Sequence, residues 1–199
     1  MALRDLFNTL SENEALSAAA QNYGLKLGAQ HVVAGTNLQE AIESVRALNE
    51  QGIACTIDCL GEFVTDEAVA TKAKEEILAL IEAIHTEELN AHLSLKPSQL
   101  GLDIDIDFCY DNLREIVERA DEYGIFVNFD MEDSPRLQLT FDLLEELQKS
   151  FENVGTVIQA YLHRAKDDTE TLKDSRLRIV KGAYKETEDI AYQDKLDID

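Results

Sequence analysis

The chain has 199 residues, 45% of them hydrophobic, and 40 acidic against 18 basic side chains give it a formal net charge of −22. That length suits a single domain of ~100–200 residues, and its many Leu, Ile and Val residues argue against disorder. The acidic balance argues against a nucleic-acid binder, which needs clustered Lys and Arg, and against adsorption to an anionic membrane surface.

Residues 4–25 read as a helix, with Leu6, Phe7, Leu10 and Leu16 near helical spacing. A second amphipathic helix is predicted over 37–50, with Leu38, Ile42, Val45 and Leu48 on one side. Residues 1–52 thus form an N-terminal helical segment, ended by Gln51-Gly52. From 53 onward short apolar runs alternate with helical stretches. The runs are 53–60, 92–96, 125–130, 156–162 and 177–183, and the helices between them include 66–88, 107–123 and 135–151. Gly52, Gly124 and Gly155 stand just before three runs, where helix hands over to strand. This is β-α-β alternation with parallel strands. Runs that are nearly continuous in apolar residues suit strands covered on both faces. An open doubly wound sheet and a closed barrel both fit, but no G-x-G-x-x-G turn follows any strand.

The polar residues favour the barrel. Active sites of (β/α)8 barrels collect at the C-terminal ends of several strands. Four runs carry polar side chains there: Ser94 and Lys96, Asn128 and Asp130, Gln159, then Arg178 and Lys181. Period-two alternation places Ser94 with Lys96, and Asn128 with Asp130, on one face. Burying such groups unpaired is costly, so they point to a polar pocket. Lys96, Arg178 and Lys181 are cations in an acidic chain, and an anionic ligand such as a carboxylate or pyrophosphate complements them.

Other candidates read as structural. The four histidines share no spacing, and no G-x-S-x-G is present. Asp103, Asp105 and Asp107 resemble part of a calcium loop but lack its Gly and terminal Glu, so Asp107 is expected to cap a helix. Glu132 and Asp133, ahead of Pro135, are expected to serve the next helix start. Cys55, Cys59 and Cys109 show no zinc pattern and read as reduced thiols of a cytoplasmic protein. Cys55 and Cys59, ~13 Å apart along a strand, are out of each other's reach. The N-terminus lacks a signal-peptide core, and no stretch approaches the ~18 apolar residues of a membrane span.

These strand ends resemble the monofunctional bacterial proline dehydrogenases. The segments that carry the likeness are Leu60-Gly61-Glu62-Phe63, Leu95-Lys96-Pro97-Ser98-Gln99-Leu100-Gly101 and Val127-Asn128-Phe129-Asp130-Met131-Glu132-Asp133. Val157-Ile158-Gln159-Ala160-Tyr161-Leu162 and Leu177-Arg178-Ile179-Val180-Lys181-Gly182-Ala183-Tyr184 complete it. The resemblance implies an α/β fold of the (β/α)8 TIM-barrel type with FAD at its C-terminal face, and oxidation of L-proline to Δ1-pyrroline-5-carboxylate. By position, Lys96 is expected to meet the substrate carboxylate, and Asp130 with Arg178 to form the catalytic acid and base pair. Met131, Gln159, Lys181, Gly182 and Ala183 are expected to contact the flavin, with no metal, and with a quinone as electron acceptor during peripheral contact with a membrane.

A complete barrel of this kind runs to ~250 residues. Five strands are visible, so residues 53–199 are expected to hold the first five β/α units and to lack the family's last three strands and its final substrate-gripping helix. Low activity of this chain follows, with self-association through open strand edges. The alternatives are a non-catalytic half-barrel that acts or folds only with a partner or as an oligomer, and a Schiff-base aldolase using Lys96 or Lys181.

Overall fold

The computed structural model describes residues 34–198, so the helix expected over 4–25 lies outside the described residues. The first helix, α1, spans Leu38–Asn49 and is capped by Asn37, whose side chain accepts from the Glu40 amide. Then follow β1 (Cys55–Asp58), α2 (Glu67–Thr86), β2 (Ala91–Leu95), a 3-10 turn (Pro97–Gln99), α3 (Ile106–Glu122) and β3 (Val127–Phe129). The chain continues through α4 (Ser134–Gln148), β4 (Val154–Gln159), α5 (Ala165–Thr171), β5 (Leu177–Val180) and α6 (Lys195–Ile198).

All neighbouring strands pair in parallel, and their order in the sheet is β1-β2-β3-β4-β5. That order decides between the two architectures. A doubly wound sheet reverses direction at a switch point, whereas successive right-handed crossovers that all step the same way keep their helices on one face, as a barrel does.

The pairing register sorts the side chains. Ile57, Leu93, Val127 and Val154 share the helix-facing side with Leu95, Phe129, Thr156 and Ile158. That side is closed: Leu93, Leu95, Val127 and Phe129 are wholly buried against Ile77, Ile81, Leu113, Ile116 and Leu144 of the helices. Thr156 fits there because its hydroxyl donates to the Phe129 carbonyl at 3.1 Å. The opposite, inner side carries Thr56 and Asp58, His92 and Ser94, Asn128, Gly155 and Val157, then Arg178.

Helix ends follow their local chemistry. At the end of α3, Gly124 takes φ +66°, and the Gly124 and Ile125 amides donate back to Asp121 and Ala120. This is the Schellman closure, which a Cβ at Gly124 would strain. Two expectations need correction. The cap of α3 is Asp105, which accepts from the Phe108 amide at 2.9 Å, while Asp107 sits inside the first turn. Gly155 lies within β4 rather than before it, because only a residue without Cβ lets the Arg176 carbonyl approach there. The strands are also shorter than the apolar runs suggest, and α5 was not foreseen. Its sequence is almost wholly polar; it is pinned by Asp168, which is buried and accepts from Arg164.

Candidate active site

Four loops follow the C-terminal ends of β1, β2, β3 and β5, and one hydrogen-bonded knot ties them together. Lys96 leaves β2 at the entrance to the 3-10 turn. Its ammonium donates to Glu62 Oε2 at 2.9 Å, from the loop after β1, and to the Tyr184 hydroxyl at 3.0 Å, from the loop after β5. The Tyr184 hydroxyl in turn donates to the Met131 carbonyl at 3.0 Å, from the loop after β3. Burial alone would lower the Lys96 pKa, but the Tyr184 and Glu62 contacts outweigh it and hold the ammonium above its ordinary range. Burial pushes the Tyr184 phenol up to about 12, with Lys96 opposing, so it stays protonated.

Asp130 and Arg178 form an ion pair on the inner side of the sheet, the carboxylate mostly covered and the guanidinium half exposed. Gln159, only 2% exposed, has both ends engaged. Its Oε1 accepts from the Ala183 amide at 3.2 Å, and its Nε2 donates to the Glu132 carbonyl at 2.9 Å. It is a strut between two loops. Lys181 and Ala183 are exposed, and the Lys181 carbonyl accepts from the Tyr161 amide. Gly182 adopts φ +131° with Tyr161 pressed against it.

Lys96, Asp130, Gln159 and Arg178 thus gather at the C-terminal end of the sheet, as the strand-end pattern predicts. Ser94 and Asn128 lie beneath them and meet through a 3.4 Å hydrogen bond. Further toward the strands' N-terminal ends the inner face holds Thr56, His92, Phe126 and Arg176. There the Arg176 guanidinium lies 4.2 Å from the Phe126 ring centre.

Three site residues were not singled out in the sequence: Glu62, Tyr184 and Asp58. Glu62 and Tyr184 stood inside quoted motifs. Asp58 ends β1 opposite Ser94, on the inner side. Burial, reinforced by Asp130 and relieved by Lys96 and Arg178, pushes its carboxyl up to about 6.

The supports differ from the expected ones. Glu132 does not serve a helix start. It is fully buried and accepts from the Ser98 amide at 2.9 Å, and burial raises its pKa. Asp133 stands at the cap position of α4 but makes no capping bond, pairing instead with Arg136 at 2.7 Å. The Ser134 amide goes to Glu186 at 2.8 Å. Asp103 also pairs with Arg136 and Asp105 caps α3, so two of the three aspartates of the loop-like cluster have structural partners, and no acidic metal cluster occurs among the described residues.

Residues 41–198 match the family model described as proline dehydrogenase. The chain belongs to the proline dehydrogenase family. It is 42% identical over 201 residues to proline dehydrogenase 2 of Bacillus subtilis strain 168, covering 100% of this chain and 66% of that protein. Proline dehydrogenase of Deinococcus radiodurans is 40% identical over 178 residues, covering 86% of this chain and 57% of that protein. The chain therefore spans just under two thirds of the length of the first of these relatives and less of the second. Among solved structures, proline utilization A of Bdellovibrio bacteriovorus, inactivated by N-propargylglycine, superposes with a TM-score of 0.73 at 24% identity. The match covers 85% of this chain and 22% of that one. A Bradyrhizobium japonicum proline utilization A mutant gives 0.60 at 23%, covering 75% and 18%. These two likenesses concern the fold, a barrel of the (β/α) type of which five strands are described here.

Proposed function

We propose that this chain carries the strand-end half of a site that oxidises L-proline to Δ1-pyrroline-5-carboxylate with FAD. One observation supports the reading above all. In a chain of the proline dehydrogenase family, Lys96 and the Asp130–Arg178 pair stand together at the C-terminal end of a parallel sheet. The donor set fits the cofactor: the half-exposed Arg178 on the inner side and the exposed Lys181 supply cations that suit an anionic, planar group. Met131, Gln159, Gly182 and Ala183 form the wall beside them. FAD bound there supplies the acceptor for a hydride from the ring carbon next to nitrogen.

The protein's share is binding, orientation and charge. Lys96 meets the substrate carboxylate, exchanging Glu62 for it. Held protonated by Tyr184, its ammonium remains a fixed cation, which speaks against a Schiff-base amine at this position. Arg178, oriented by Asp130, places positive charge where negative charge develops on hydride transfer. Gln159 holds the 131–133 and 181–183 loops at one spacing. A quinone met in peripheral contact with a membrane would be the electron acceptor; no helix long and apolar enough to cross a membrane occurs among the described residues.

The test is reduction of the chain's bound flavin by L-proline, followed as loss of the oxidised flavin band, alongside Lys96→Met. Removing a charge-assisted contact worth ~1.5–3 kcal/mol should raise the proline concentration needed by ~10- to 100-fold. No flavin bound after loading, or a Lys96→Met chain reduced at wild-type proline concentrations, would overturn the assignment.

A further inference from the structure

We propose that Asp58 recognises the ring ammonium of the substrate, opposite the Lys96 that faces its carboxylate. The inference rests on the proline-oxidation reading and deepens it. Among the charged groups at this end of the sheet, Lys96 is paired with Glu62 and Tyr184, and Arg178 with Asp130. Asp58 alone of this set makes no hydrogen bond or ion pair among the described residues, although it stands among them. It faces Lys96 from the end of β2, Asp130 from the end of β3 and Arg178 from β5. Its register partner is Ser94, whose hydroxyl accepts from Asn128.

Asp58 lies on the inner face of the sheet, open to solvent and without a side-chain partner among the described residues, beside cations that already have theirs, so it is free to receive a ligand's positive charge. A zwitterionic amino acid meets both charges. Its carboxylate neutralises Lys96, and its ammonium supplies Asp58 with the charge-assisted hydrogen bond it lacks. An anion alone satisfies only the first half. Asp58 would therefore discriminate an amino acid from a carboxylic acid of the same shape. Titration near 6 agrees with this, since Asp58 is mostly ionised at neutral pH and available to a cation.

Binding, rather than turnover, tests the idea. The FAD-loaded chain is first reduced with dithionite so that proline is not consumed. It is then titrated calorimetrically with L-proline and with cyclopentanecarboxylate, the carbocycle of the same shape without nitrogen. Asp58→Asn should weaken L-proline by ~10-fold or more and leave cyclopentanecarboxylate within about twofold. In the wild-type chain, lowering the pH through about 6 should weaken proline more than the carbocycle. The Asn variant should lose that difference. Equal losses for both ligands, or none for either, overturn the role of Asp58. If the variant does not fold, the wild-type pH comparison decides alone, and proline and carbocycle falling in parallel overturns it. A wild-type chain that binds neither ligand overturns the proline reading itself, a result distinct from binding without discrimination.

Discussion

Replacing Gly182 by Ala should cost several kcal/mol, and the two sources of that cost can be separated. Gly182 sits at φ +131°, a conformation that side chains rarely adopt, and holding an alanine there costs ~1–3 kcal/mol. Its Cβ would also fall 2.2 Å from Tyr161 Cδ1 and 2.4 Å from Cε1, against the 3.4 Å of ordinary contact. The ring must move by more than an ångström. Tyr161 is buried and its hydroxyl donates to the Tyr184 carbonyl at 3.1 Å, so it cannot swing away freely. Overpacking of this kind adds ~1–3 kcal/mol. The total of ~2–6 kcal/mol should appear in urea unfolding and as a melting point lower by roughly 5–20 °C. In a Tyr161→Val background the ring is gone, and Gly182→Ala should cost only the backbone share. A loss below ~0.5 kcal/mol, the range of an inert surface change, would refute the reasoning. The same cost in both backgrounds would show that the ring is not the obstacle. Because Tyr161 holds Tyr184, and Tyr184 holds Lys96, the variant should also loosen proline binding.

Other outcomes follow from single residues. Asp58 titrates near 6 rather than near 3.8, so the fold is penalised as Asp58 ionises. Stability is therefore lost as pH rises from about 4 to about 6. Asp58→Asn should unfold at a higher denaturant concentration than wild type at pH 7, with the gap closing by pH 4; a gap that widens in acid would contradict this. Asp105→Ala should cost ~1 kcal/mol as a lost cap, whereas Asp107→Ala should stay within ~0.5 kcal/mol, and the reverse ranking in urea melts would return the cap to Asp107. Burial pushes the Cys109 thiol up to about 12 and the Cys59 thiol up to about 11. Iodoacetamide at pH 8 followed by peptide mapping should therefore label Cys55 first and leave the buried Cys109 intact until denaturation.

The alternation of apolar runs with helical stretches made the parallel sheet legible because each strand is covered on its helix-facing side by large aliphatic residues. Leu93, Leu95, Val127 and Phe129 leave no ambiguity of period. The site was legible where polar residues interrupted those runs near their ends, as Lys96, Asp130, Gln159 and Arg178 do. Asp58 escaped for a geometric reason. The apolar run 53–60 continues past the true end of β1 at Asp58, so the residue looked interior to a strand rather than terminal. The caps escaped because three aspartates two residues apart offer equivalent chemistry, and only the backbone turn chooses Asp105. Glu132 escaped because its partner, the Ser98 amide, is 34 residues away in the chain. Long-range pairing of a buried carboxylate with main chain leaves no periodic signature. The helix α5 lacked an apolar face to announce it.

The sheet order β1-β2-β3-β4-β5 has a consequence for how the chain assembles. Every strand pairs only with its neighbours along the sequence. Loop closure is then short and local at each step, and topologies of this kind fold faster than those that must join distant segments. During synthesis each new strand finds its template already in place, so the sheet can lengthen by one β/α unit at a time from the N-terminal side. The same arrangement grades resistance to opening. β3 is held from both sides and wholly buried, and its amides should exchange with solvent last. Among the described strands β5 pairs with β4 and leaves Ile179 open to water, and the loop after it carries Tyr184 to Lys96, so opening of that strand would release the knot around Lys96.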